Sequence, residues 1–324
     1  MILKNKKIII VAGDPNSINS EIIYKSWKKL NKNLKKRIFL VANIDLLKEQ
    51  FKILNYPIKI SQIKNINKII DPKKLNVINV DLEFKNPFKV NRKNSSKYIY
   101  KALNLAHKLS LKENILGMIN CPINKDLLKK KNIGVTEFLS KKCKLKNDSE
   151  VMMIKTRNFA VCPITTHIEL RNVPKKIKSK MILIKVKTIQ KSFKNLYKKS
   201  PKIGVLGLNP HNAELKNNSE EVREIIPAIK KLKKLGFKVD GPLVTDTIFM
   251  ENFKNYDVIV GMYHDQVLSP FKSIFKFNAI NLTLGLKYLR ASPDHGVAKD
   301  LIKKNKADGL SLLECIKFIY KFGR

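Results

Sequence analysis

The chain has 324 residues, 44% of them hydrophobic, and a formal charge of +40. That length supports one large or two medium α/β domains, each with its own core, and no apolar run approaches the roughly 18 residues of a membrane span. Cys121, Cys143, Cys162 and Cys315 are scattered with no C-x-x-C pair, which argues against a disulfide framework or a structural zinc site.

The opening, MILKNKKIIIVAGDP, is basic and then apolar, like a signal peptide. The apolar run at 8–12 is shorter than a secretory core of about 7 to 15 residues, and it ends in the turn Gly13-Asp14-Pro15 rather than a cleavage site. It reads as a first buried strand, in a cytoplasmic protein. Further strand-like runs follow at 37–42, 77–80, 115–120, 159–164, 202–208 and 258–262. Helical periodicity lies between them. Ile22, Ile23, Trp27 and Leu30 share one face, as do Ile99, Ala102, Leu103, Ala106 and Leu109. SEEVREIIPAIKKLKKLG opens on Ser219 as an N-cap and closes at Gly236. Alternating strands and helices predict a mostly parallel sheet with helices on its faces. There is no internal repeat, no low-complexity linker and no G-x-G-x-x-G, so a standard Rossmann dinucleotide site is unsupported.

The 66 basic residues are spread along the whole chain, not gathered into a tail or stripe with interleaved aromatics, which argues against nucleic-acid binding. Glycine occurs 12 times, against about 23 at average usage. Together with abundant Lys, Asn and Ile, this is what AT-rich codon drift produces.

Three of the five histidines share one local pattern: a strand, a few residues, then His167, His211 or His264. Ligands of open α/β sheets bind beyond the carboxyl ends of the strands. Three imidazoles there can converge on one divalent cation with an open position, and zinc is the best match. Each histidine alone also reads as a hydrogen-bonded loop residue. His107, inside a lysine-rich helix, reads as structural. Lys272 and Arg290 are candidate clamps for a phosphate or carboxylate.

The segments GDPNSINSEI, CPINK, TEFL, TTHI, LGLNPHNAE, GPLVTDTIF, MYHDQ and INLTLGLKYLRASPDHGVAKDL occur in this order. Together they resemble the 4-hydroxythreonine-4-phosphate dehydrogenase family over nearly the whole chain, from Ile8 to about Leu301. The resemblance implies an isocitrate/isopropylmalate-dehydrogenase-like fold of two α/β/α domains with the active site in a cleft between them. We place the first domain at 1–125 plus 275–324 and the second, with the metal histidines and dimer contacts, at 126–274. The implied reaction is NAD- (or NADP-) dependent oxidation of 4-phosphooxy-L-threonine. Its 3-keto product then decarboxylates to 3-amino-2-oxopropyl phosphate, in pyridoxine 5'-phosphate biosynthesis. By motif, His167, His211 and His264 correspond to ligands of one divalent metal, Zn first, with Mg or Co as alternatives. Thr136, Lys272, Asn281 and Arg290 correspond to substrate contacts, and a homodimer completes the site. Asp246 stands as a proton acceptor or, equally, as a helix N-cap. Asp294, His295 and Gly296 stand as cofactor contacts or as a simple turn. Neither a membrane nor a nucleic acid is an expected partner.

The sequence departs from the family at Gly134-Val135-Thr136-Glu137, where the family reads Gly-His-Thr-Glu. Valine cannot donate a hydrogen bond, so a sister substrate such as a four-carbon sugar-acid phosphate is the alternative reading. A basic nucleic-acid-binding protein on the same scaffold, marked by steep salt dependence, is a remote third. Glycines of the family are also missing at Ser17 and Asn19 and after His211, where Asn tolerates positive φ best.

Overall fold

The apolar runs become buried strands, because β-branched side chains fill both faces of a covered parallel sheet. The computed structural model describes residues 6–66, 71–131, 134–146, 148–250, 252–276 and 278–323. Among them the strands are β1 (Lys7–Val11), β2 (Ile38–Ala42), β3 (Lys59–Gln62), β4 (Lys74–Asn79), β5 (Ile115–Asn120), β6 (Val151–Lys155), β7 (Ala160–Pro163), β8 (Ile203–Leu206), β9 (Val239–Leu243), β10 (Val258–Gly261), β11 (Ile280–Leu284) and β12 (Arg290–Pro293).

The chain divides into two units, Met1–Cys143 with Leu286–Arg324, and Lys144–Gly285. Both boundaries lie later than the expected 125/126 and 274/275, for identifiable reasons. The helix Val135–Lys142 sends Phe138 and Leu139 into the core of the first unit. Strand β11 pairs antiparallel with β6 of the second, Asn281 opposite Ile154.

In the first unit the strand order is β3-β4-β2-β1-β5-β12, and the pairings along it are parallel. The helix Arg92–Ser110 packs Tyr98, Ile99, Ala102, Leu103 and Ala106 against Ile9, Val11, Phe39 and Met118. The order reverses direction at β1/β5, and the two loops there are tied together. The Asp14 backbone N–H and the Asn19 amide both donate to the Pro122 carbonyl, at 3.0 and 2.8 Å. Gly13 lies at φ 78, and a Cβ there would press on the Pro122 and Cys121 carbonyls.

In the second unit the order is β11-β6-β7-β10-β8-β9. Strands β7, β10, β8 and β9 run parallel, so their carboxyl ends share one edge. An aromatic cluster of Phe159, Phe249, Phe253 and Phe271 fills one face. The helix expected to begin at Ser219 starts with a π-helical turn, Glu221–Ile225, and continues as Ile226–Lys234. Ser219 Oγ accepts the Val222 N–H at 3.4 Å, and Gly236 follows at φ 77. No helix among the described residues is long and apolar enough to cross a membrane.

Candidate active site

His167, His264 and His211 follow β7, β10 and β8, three neighbouring strands with β10 in the middle. The His167 and His264 rings lie side by side, 5.6 Å between centroids. His264 opens the helix His264–Phe275, and its Nδ1 sits 2.7 Å from Asp265 Oδ1. A carboxylate on Nδ1 orients an imidazole so that Nε2 can serve as a ligand. His211 points at a different partner: its Nε2 is 3.6 Å from Asp246 Oδ2. Asp246 is not an N-cap. It lies inside the short helix Thr245–Ile248, whose cap position is Val244 with no side-chain cap bond.

Among the described residues, no group of three or more His, Cys, Asp or Glu is arranged to hold a metal ion. The donor types nevertheless suit a divalent transition metal: two imidazoles already in contact, and a third beyond the adjacent parallel strand.

What places these loops is a pair of buried polar side chains. Gln266, two residues after His264, is 6% exposed. Its Oε1 accepts the Met262 N–H at 2.6 Å, and its Nε2 donates to the Gly207 carbonyl at 2.7 Å and to Thr245 Oγ1 at 2.9 Å. One carboxamide thus joins the loops that carry His264, His211 and Asp246. Glu221 is fully buried. Its Oε1 accepts the N–H groups of Leu208 (2.7 Å) and Asn209 (2.8 Å), and its Oε2 accepts Asn209 Nδ2 at 2.9 Å. Burial pushes its carboxyl up, but the hydrogen bonds from Asn209 and Leu208 outweigh burial and hold it below its ordinary value.

The turn so held is unusual. His211, Asn212, Ala213, Glu214 and Leu215 all have φ between 48 and 57°. The sequence suggests positive φ only at an asparagine, yet Ala213, Glu214 and Leu215 adopt it too. Left-handed backbone costs an L-residue about 1–2 kcal/mol, so neighbouring structure must hold the run in place. Asn212 Nδ2 anchors it to the Pro242 carbonyl at 3.0 Å, and a Cβ on Gly207 would collide with Asn212 Oδ1.

Of the expected substrate contacts, Lys272 is exposed on the helix His264–Phe275, and Asn281 lies on β11 with its Oδ1 buried and without a hydrogen-bond partner. Both belong to the second unit. Thr136 and Arg290 belong to the first. Thr136 is half-buried in the first turn of Val135–Lys142, and the neighbouring Val135 packs against the apolar core. Arg290, on β12, is 3% exposed and donates from Nε to Asn120 Oδ1 at 2.8 Å. Burial pushes its guanidinium down to about 10, against the pull of Cys315, Tyr288 and Glu137. Asp294 is buried, and its N–H donates to Ser311 Oγ at 3.1 Å. The half-buried His295 contacts the Gly296 carbonyl through Nδ1 at 3.0 Å. His107 is buried with Nδ1 2.9 Å from the Tyr288 hydroxyl. Sequence reasoning missed Glu221, Asn209 and Asn120. Each acts on a partner remote in sequence or on another strand, so no local spacing signals it.

Parallel strands followed by histidines, with buried polar groups bracing the loops, define an α/β protein with candidate chemical groups at the carboxyl edge of its sheet. The model of the family described as Pyridoxal phosphate biosynthetic protein PdxA matches residues 34–319. The chain belongs to that family. It is 40% identical to a 4-hydroxythreonine-4-phosphate dehydrogenase of Aquifex aeolicus, over 97% of this chain and 98% of the relative. It is 31% identical to an Oceanobacillus iheyensis protein provisionally named D-threonate 4-phosphate dehydrogenase, over 97% of each. A crystal structure of 4-hydroxythreonine-4-phosphate dehydrogenase from Klebsiella pneumoniae is similar with a TM-score of 0.84, at 28% identity over 97% of this chain and 98% of that one.

Proposed function

We propose that this chain is a 4-hydroxythreonine-4-phosphate dehydrogenase. In this reading it oxidises the C3 hydroxyl of 4-phosphooxy-L-threonine. The C3 hydride passes to a nicotinamide cofactor, NAD or NADP, and the hydroxyl proton leaves to a base. The 2-amino-3-oxo-4-phosphooxybutanoate formed is a β-keto acid and decarboxylates to 3-amino-2-oxopropyl phosphate. The observation that carries the reading is the set of His167, His211 and His264 on adjacent strand ends, with Asp246 against His211. The three histidines would hold a divalent cation, zinc by donor type. Bound there, it would supply Lewis acidity toward the hydroxyl and ketone oxygens. Asp246, exposed beside His211, is the proton acceptor. Lys272 and Arg290 supply positive charge for the phosphate and carboxylate, Thr136 and Asn281 supply hydrogen bonds, and Asp294, His295 and Gly296 contact the cofactor.

A homodimer fits the surface. Ile168, Leu170, Leu215 and Met250 are exposed large apolar residues, 1 to 4 positions beyond His167, His211 or Asp246, as a covered interface would have. Cytoplasmic residence fits four free, buried cysteines. Val135 favours a second reading, a phosphorylated four-carbon hydroxy acid lacking the amino group, as in the name of the Oceanobacillus relative.

The test is NADH formation from NAD and 4-phosphooxy-L-threonine, before and after chelation and zinc return. Turnover that vanishes and returns with the metal supports the first reading. Turnover only with D-threonate 4-phosphate supports the second, and turnover with neither overturns both.

A further inference from the structure

The turn at 211–215 raises a question that the reaction does not answer: what keeps five consecutive L-residues at positive φ? The turn is a 3-10 helix, Pro210–Leu215, closed at its ends by two further bonds. Asn212 N–H donates to the Asn209 carbonyl at 3.1 Å and Lys216 N–H to the Ala213 carbonyl at 3.0 Å. The strong contacts lie just before it. Both backbone N–H groups entering the turn, those of Leu208 and Asn209, go to one oxygen of Glu221, and the Asn209 amide bridges Glu220 and Glu221 at 2.9 Å each. A fully buried carboxylate that satisfies two successive backbone donors fixes the direction in which the chain leaves β8. His211 follows two residues later, and its own side chain is 74% exposed. Apart from the Asp246 carboxylate, little packs against the imidazole, so the backbone it stands on sets where it can reach.

We infer that Glu221 is the positioning residue for His211: its carboxylate clamps the entry to the left-handed turn and thereby aims the imidazole at the Asp246 side of the site. The inference rests on the cation-binding reading above but is measured separately from it. Glu224, one turn along the same π-helical segment, is the control. It also binds a backbone N–H, that of Ser179 at 2.7 Å, and Lys178 at 3.1 Å. It does not touch the histidine turn, so it matches Glu221 in kind but not in place.

The experiment compares wild type, Glu221→Gln and Glu224→Gln as full-length, metal-stripped protein. Cobalt(II) is titrated and followed by its visible absorption, and the His211 ring signals are followed by NMR, assigned with His211→Ala. Glu221→Gln should shift the His211 signals and weaken cobalt binding by about tenfold or more, the usual effect of losing an outer support. Glu224→Gln should change neither, even where its thermal midpoint falls as far. Unchanged His211 signals and unchanged cobalt affinity in Glu221→Gln would overturn the inference, as would an equal effect in Glu224→Gln. If wild type binds no cobalt, the cation reading fails, and the His211 signals alone decide the positioning role. Should Glu221→Gln not fold, Glu221→Asp, which shortens the carboxylate's reach to the two backbone N–H groups, takes its place under the same criteria.

Discussion

In the first unit Arg290 and Asp14 are each 3% exposed, held by hydrogen bonds to neighbouring strands and loops. Asp14 Oδ1 accepts the Asn16 N–H at 2.9 Å, and burial pushes its carboxyl up. In the second unit two of the candidate chemical groups stand outside, the His211 and Asp246 side chains being 74% and 62% exposed. What is buried there is their support, Gln266 and Glu221. The first unit fixes the charged side chain itself. The second fixes the backbone and lets the side chain reach out. Mutations should therefore couple stability to ligand contact in the first unit and separate the two in the second.

The largest expected effect lies in the first unit. Arg290→Ala removes a buried guanidinium and strands Asn120. Urea denaturation should show a loss of about 3–5 kcal/mol; a loss under about 1 kcal/mol would mean that the guanidinium is not built into the core, and the contrast would collapse. Gln266→Leu comes next. It keeps volume but leaves the Met262 N–H and Gly207 carbonyl unsatisfied, for about 2–3 kcal/mol. Its unfolding midpoint should fall well below that of His211→Ala, which should stay within about 0.5 kcal/mol of wild type while losing the cation. Equal losses for the two would erase the distinction between support and reaching group.

Acid stability sharpens the same point. The Glu221 carboxyl is held below its ordinary value of 4.5. Its contribution is present above that value and is lost as pH falls through the lower folded value. Replacing it by Gln should lower stability at neutral pH and flatten the decline below about pH 4.5. Equilibrium unfolding at a series of pH values reads this directly, and a decline as steep as wild type's would assign the acid sensitivity elsewhere.

Much of this division is visible in the sequence. The cores of β1, β2, β5, β7, β8 and β10 are largely apolar runs, and the histidines are rare residues a few positions after three of them. Strand β9, VDGPL, contains Gly and Pro, and β12, RASP, is short and begins with a charge. Neither reads as a strand, since only the pairing with β8 or β5 makes them so. The domain boundaries slipped for a related reason. TEFL reads as a site motif, but Phe138 and Leu139 are core residues of the first unit. Glu221 and Gln266 act across 12 and 59 residues of chain respectively, a distance that periodicity cannot span.

The smallest effect tests the backbone itself. Ala213 lies at φ 50, where an L-residue costs about 1–2 kcal/mol and glycine almost nothing. Glycine also loses more freedom on folding, by about 0.5–1 kcal/mol. The net expectation for Ala213→Gly is a gain of up to about 1 kcal/mol, an unusual sign for a change that removes a side chain. The identical substitution at Ala228, buried in the helix Ile226–Lys234, gives up both helix propensity and packing and should cost about 1 kcal/mol or more. Opposite signs in thermal unfolding would show that the histidine turn is held against its own backbone preference by the buried groups around it. A loss at both positions would mean that the turn is not left-handed in solution, and the clamp at Glu221 would have nothing to restrain.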